Sequence, residues 1–143
     1  MTQRPDLFAA AITQVGVLDV LRFHTFTIGA AWTSDYGDPD IAEDFETALA
    51  YSPLHNVRQG QQYPATLVVT GDHDDRVVPA HSHKFTATLQ AAQTDPDGAT
   101  VLTRIEVATG HGVGKPIGMQ ADEWADLLAF AAHHTGLATP AGQ

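Results

Sequence analysis

The run Pro64 to Thr70, P-A-T-L-V-V-T, closed by Gly71, constrains the fold more than any other stretch of this chain. It is rich in β-branched residues and lacks polar alternation, so both of its faces need covering. That pattern calls for a strand inside a parallel sheet. The flanking segments supply the rest. Residues 9 to 19 hold a short apolar, partly alternating run, and its later part, near Val15 to Leu18, is expected to be a strand. Residues 20 to 40 form a long connection containing Gly29, Trp32, Tyr36, Gly37 and Pro39, and long connections in compact domains are often functional. Residues 41 to 50 are helix-like, with Ile41, Phe45 and Leu49 on one face and Asp40 available as a cap. Residues 80 to 93 have helical spacing at Phe85, Leu89 and Ala92, and a turn, T-D-P-D-G-A, follows. Residues 101 to 108 alternate as a strand, and residues 119 to 134 predict a helix burying Trp124, Leu127, Leu128 and Ala131. Right-handed crossovers then give an α/β fold with three parallel strands and flanking helices.

Composition narrows the function classes. Acids outnumber bases by ten in 143 residues, which argues against nucleic acid or an anionic membrane surface as partner. There is no cysteine, so disulfides, thiolate chemistry and cysteine-ligated metals are excluded. That fits a cytoplasmic protein. The first residues do not resemble a secretory signal, and no apolar run is long enough to span a bilayer.

Two motifs lie where open parallel sheets gather their chemistry, beyond the carboxyl ends of the strands. G-D-H-D-D-R-V-V-P, Gly71 to Pro79, follows the apolar run; G-H-G-V-G-K-P, Gly110 to Pro116, follows the next strand. An acid after one strand and a histidine after the next is how a doubly wound hydrolase holds two members of a catalytic triad. Spacing alone does not choose among Asp72, Asp74 and Asp75; the others are available to cap the next helix or to pair with Arg76. An EF-hand fails because Arg76 stands where an oxygen ligand belongs. His73, His81 and His83 fit no standard metal spacing, and exposed polar residues are the simpler reading. No cofactor or metal is expected. No G-x-S-x-G or comparable elbow occurs, and Ser34, Ser52 and Ser82 lack the small flanking residues an elbow needs. The chain therefore reads as the carboxyl-terminal part of a serine hydrolase domain, cut just after its nucleophile.

G-A-A-W-T-S-D-Y-G, Y-S-P-L-H-N-V, Y-P-A-T-L-V-V-T-G-D-H-D-D-R-V-V-P and G-H-G-V-G-K-P closely resemble the end of the catalytic domain of the prolyl oligopeptidase family, from about residue 3 to residue 134. That family comprises serine peptidases that cut short peptides after proline and join an α/β-hydrolase domain to a β-propeller. The resemblance implies Asp74 as triad acid and His111 as triad base. It implies Arg76 as the grip on a substrate carbonyl, Trp32 as the surface that stacks on the proline ring, and Tyr36, Val17 and Val77 as the remaining pocket wall. An indole face and branched aliphatics suit a flat apolar ring, and an arginine fork suits a carbonyl. The nucleophile segment, oxyanion donors and propeller of the family have no counterpart here.

The resulting expectation is a partial α/β-hydrolase unit over residues 1 to 136 with a frayed tail at 137 to 143. It binds proline-containing short peptides and pairs with the upstream part of the same catalytic domain. Isolated, it is expected to self-associate and to be inactive. The alternative is a non-catalytic proline-peptide-binding module or a degenerate remnant.

Overall fold

The computed structural model describes residues 1–93, 99–112 and 114–137. The turn read at residues 94 to 99 lies outside these except for Ala99, as does the tail beyond Leu137. Three parallel strands, β1 (Ala10–Gln14), β2 (Ala65–Gly71) and β3 (Val101–Glu106), lie in the order β1-β2-β3. The helices are α1 (Thr33–Tyr36), α2 (Ala42–Tyr51), α3 (Ala80–Ala92) and α4 (Ile117–Thr135), with short 3₁₀ turns between them. Among the described residues no helix is long and apolar enough to cross a membrane.

The central position of β2 follows from its composition: every residue of it is buried. Its side chains alternate between two cores, as a period of two requires. Val68 packs with Leu18, Tyr63, Phe85, Leu89 and Ala92 on the α3 side. Ala65, Leu67 and Val69 pack with Leu127 and Phe130 on the α4 side. The helical spacing read at Phe85, Leu89 and Ala92 is the buried stripe of α3.

Four readings are corrected. The first strand is the early part of its run, Ala10–Gln14, rather than Val15 to Leu18. Val15 has φ 44°, a left-handed conformation that is uncommon for a β-branched residue and takes the chain out of the sheet before Gly16. On α2, Ile41, Phe45 and Leu49 face solvent, and Ala48 is the buried residue, packed with Val20 and Phe23. A small side chain lets that helix approach the turn at residues 20 to 23 closely. Asp40 caps nothing: the residue before α2 is Ile41, without a side-chain cap, and the Asp40 carboxyl lies 3.3 Å from His24 Nε2. On α4, Leu127 is buried as read, but Trp124 and Leu128 are exposed and Phe130 and Ala132 take their place inside. A sheet of three strands covers only one stripe of a helix this long.

Candidate active site

Asp74 sits in the turn that leaves β2. Its Oδ1 accepts the backbone N–H groups of Arg76 and Val77, each at 2.9 Å, and its side chain is wholly buried. Its Oδ2 lies 2.8 Å from Nδ1 of His111. A carboxyl oxygen in that position accepts, so Nδ1 carries the hydrogen and Nε2 is left as the basic nitrogen. His111 is one-quarter exposed at its side chain, enough to meet a reactant.

The neighbouring acids do other work. Asp72 pairs with His73 Nδ1 at 2.7 Å and accepts the Thr109 N–H. The His73 partner and the backbone donors hold its carboxyl below the ordinary carboxylate range. Asp75 is exposed. The two loops are tied further by His73 N–H to Thr109 C=O at 3.0 Å, and by Gly71, where a Cβ would come within 2.5 Å of the Thr109 carbonyl oxygen. Lys115, bonded to Glu123 at 2.6 Å and near Glu106, anchors the far end of the histidine loop to β3 and α4.

His111 lies on the rim of an open cleft of about 490 Å³ whose walls include Val17, Trp32, Tyr36, Arg76 and Val77. Six of the seven residues singled out from the sequence thus line one cleft, and the seventh, Asp74, reaches it through His111. The aromatic side of the cleft is built from behind by Phe23, a residue sequence reasoning missed. Phe23 is buried, stacks on Trp32 with ring centroids 6.5 Å apart, and meets Tyr36 edge-on at 5.3 Å. It carries no polar group, so nothing but its place in the long connection could have drawn attention to it. A second cavity, about 250 Å³, also borders His111 and lies over the ends of the strands, beside Gln14, Val15 and Trp124.

The three histidines weighed as metal ligands, His73, His81 and His83, do not converge. His73 pairs with Asp72, and His83 is on the exposed side of α3. His81 is buried, and its Nδ1 accepts the backbone N–H of Asp19 at 3.1 Å. Burial holds the His81 imidazole below its ordinary range, opposed by the Asp19 carboxyl and assisted by the Lys84 ammonium. The unfolded chain takes up this proton near pH 6.5, the folded chain only at lower pH. In that window the unfolded state binds more protons, so this contribution to stability is full above pH ~6.5 and is lost as pH falls through the folded value, at no more than about 1.4 kcal/mol per pH unit. Thermal melts across that range are expected to show the wild type losing stability faster than His81→Asn. His134, also held low by burial, is common to both proteins and cancels in the comparison. Identical pH slopes would count against the assignment.

The model of the prolyl oligopeptidase family matches residues 1–138. The chain is 53% identical over 138 residues to a prolyl endopeptidase of Elizabethkingia miricola, covering 96% of this chain and 19% of that relative. A solved prolyl endopeptidase is similar at a TM-score of 0.86 and 51% identity, over 99% of this chain and 19% of that one. Prolyl oligopeptidase B of Galerina marginata, solved with a 35mer hydrolysis and macrocyclization substrate, is similar at a TM-score of 0.86 and 43% identity, over 93% of this chain and 18% of that one. The chain thus spans about a fifth of the length of the relatives it matches, and it belongs to the prolyl oligopeptidase family.

Proposed function

We propose that this chain supplies the general base, its orienting acid and the proline-accepting walls of a serine endopeptidase that cleaves short peptides after proline. The observation that carries the reading is the meeting of the Asp74–His111 pair, bonded at 2.8 Å, with Trp32, Tyr36, Arg76, Val17 and Val77 around one cleft. The nucleophilic serine in this reading comes from chain outside these 143 residues. Ser52 and Ser82 are buried within the fold, and Ser34 is not among the residues around the cleft.

His111 Nε2 takes the proton of the serine hydroxyl as its oxygen attacks the carbonyl carbon of the proline residue. The imidazolium that forms is stabilised by the Asp74 carboxyl, which two backbone N–H groups hold in place. Nε2 then gives the proton to the leaving amine nitrogen as the C–N bond breaks. Water attacks the acyl-enzyme, passes its proton to Nε2, and the serine is restored. The proline ring lies against Trp32 and the aliphatic walls, and Arg76 holds a substrate carbonyl.

The direct test is a hybrid in which residues 1–138 replace the matching segment of the E. miricola prolyl endopeptidase. The hybrid is expected to cleave a chromogenic proline amide, and the 143-residue chain by itself is not. A folded hybrid with no cleavage, or the same cleavage by the chain alone, would overturn the reading.

A further inference from the structure

We infer that α3 is a bracket that holds the walls of the cleft in register, with His81 and Lys84 as positioning residues for proline selection. The inference rests on the cleft being the proline site. Neither residue lines the cleft. Each reaches two other segments that do.

The first segment is the loop after β1. His81 Nδ1 accepts the N–H of Asp19, two residues beyond the cleft residue Val17. Lys84, one turn further along α3, pairs with the buried carboxyl of Asp19. The second segment is the long connection. Phe26 places its ring edge-on to His81, centroids 5.6 Å apart, and Lys84 Nζ lies 5.6 Å from the centroid of the same ring. Phe26 N–H donates to the Phe23 carbonyl at 3.1 Å, and Phe23 backs both Trp32 and Tyr36. The third wall, Arg76 and Val77, runs into α3 itself through Pro79, and His81 N–H donates to the Val78 carbonyl. The stretch from Val17 to Tyr36 is thus tied at Asp19 and at Phe26 to the side chains of His81 and Lys84, about 60 residues along the chain, on the helix that the Arg76–Val77 wall leads into.

An ion pair with one partner buried, as Asp19 is here, is a weak source of stability, because desolvating that carboxyl offsets much of the attraction. The second oxygen of Asp19 is buried without a hydrogen-bond donor among the described residues, which adds to that cost. What such a pair does well is specify one arrangement over its neighbours. Here it specifies how far the Val17 loop stands from the aromatic wall. A substrate ring held between those walls reports that spacing directly.

The test uses the 143-residue chain with Leu127→Ala as control, a core truncation on the opposite face of the sheet. His81→Leu removes the acceptor, and Lys84→Met removes the charge. His81→Asn keeps an acceptor oxygen near the place of Nδ1. Two readouts are taken: the Trp32 indole N–H resonance with the exchange rate of the Asp19 amide, and the preference for a peptide ending in proline over one ending in alanine. His81→Leu and Lys84→Met are expected to shift the indole resonance and to reduce the preference by about tenfold, the scale of one lost buried hydrogen bond or pair. His81→Asn is expected to stay close to wild type, and Leu127→Ala to lower the melting temperature without changing either readout. If His81→Leu does not fold, Lys84→Met carries the test, since that side chain is one-third exposed. Unchanged indole and amide signals in the folded variants overturn the bracket whatever the peptides do. A wild-type chain that shows no preference for proline sinks the functional reading instead, and the bracket is then judged on the resonances alone.

Discussion

In the hybrid peptidase, His111→Ala is expected to lower kcat/KM for a proline amide by about 10⁴- to 10⁶-fold, the range seen when a triad base is removed. The serine would lose the only group poised to take its proton, and the leaving amine the only group poised to protonate it. Asp74→Asn is expected to cost about 10⁴-fold, because an amide donates where a carboxyl accepts and turns the imidazole to the wrong tautomer. That substitution leaves Oδ1 free to accept the Arg76 and Val77 N–H groups, so the turn should keep its shape. Asp75→Asn, at an exposed position, is expected to stay within about threefold. Stopped assays with burst analysis separate a lost chemical step from lost binding. A loss for Asp75→Asn equal to that for Asp74→Asn would reassign the acid.

The sheet was legible because β2 lacks any polar alternation and α3 repeats its apolar residues at helical spacing. Both patterns report burial on elements whose partners lie within the chain. The misreadings fall where that condition fails. Ile41, Phe45 and Leu49 form a good helical stripe, yet the residue that packs is Ala48, chosen by how closely α2 approaches Phe23. Trp124 and Leu128 were read inward on hydrophobicity, but a narrow sheet receives only the Leu127–Phe130 side of α4. Val15 to Leu18 looked extended until Val15 turned left-handed, a backbone event with no composition signal of its own.

The candidate site divides the same way. Three acids share one turn, and spacing could not rank them. The backbone does so: only Asp74 folds its carboxyl over the N–H groups two and three residues ahead, which buries it and points the free oxygen at His111. Val17, Trp32 and Tyr36 are separated in sequence from Arg76 and Val77 by a strand and a helix, so only resemblance could group them before the fold was known. Phe23, Asp19 and His81, which hold those walls, carry no motif at all.

Gly29→Ala is expected to be among the most damaging small substitutions in the chain. A Cβ at Gly29 would stand 1.9 Å from the Phe23 carbonyl oxygen and 2.8 Å from its carbonyl carbon. Both are backbone atoms, so no side chain can rotate away. The Gly29 N–H also donates to the Phe26 carbonyl at 2.7 Å, which pins the glycine against that turn. Relief requires opening residues 23 to 29, which separates Phe23 from Trp32 and spoils the aromatic wall. A cost of about 3 kcal/mol or more is expected, or a fall of about 10 °C in Tm for a domain of this size. Gly60→Ala is the matched comparison. Gly60 has φ 73° with open space around it, so a Cβ there meets only the left-handed penalty. That penalty is about 1 kcal/mol, with no effect expected on the cleft. Thermal melts of the two variants, with tryptophan fluorescence in the presence of a proline-ending peptide, separate crowding from backbone conformation. Equal melting temperatures for the two would show that residues 23 to 29 yield more easily than their packing implies, and the cleft wall would then have to be held from α3 alone.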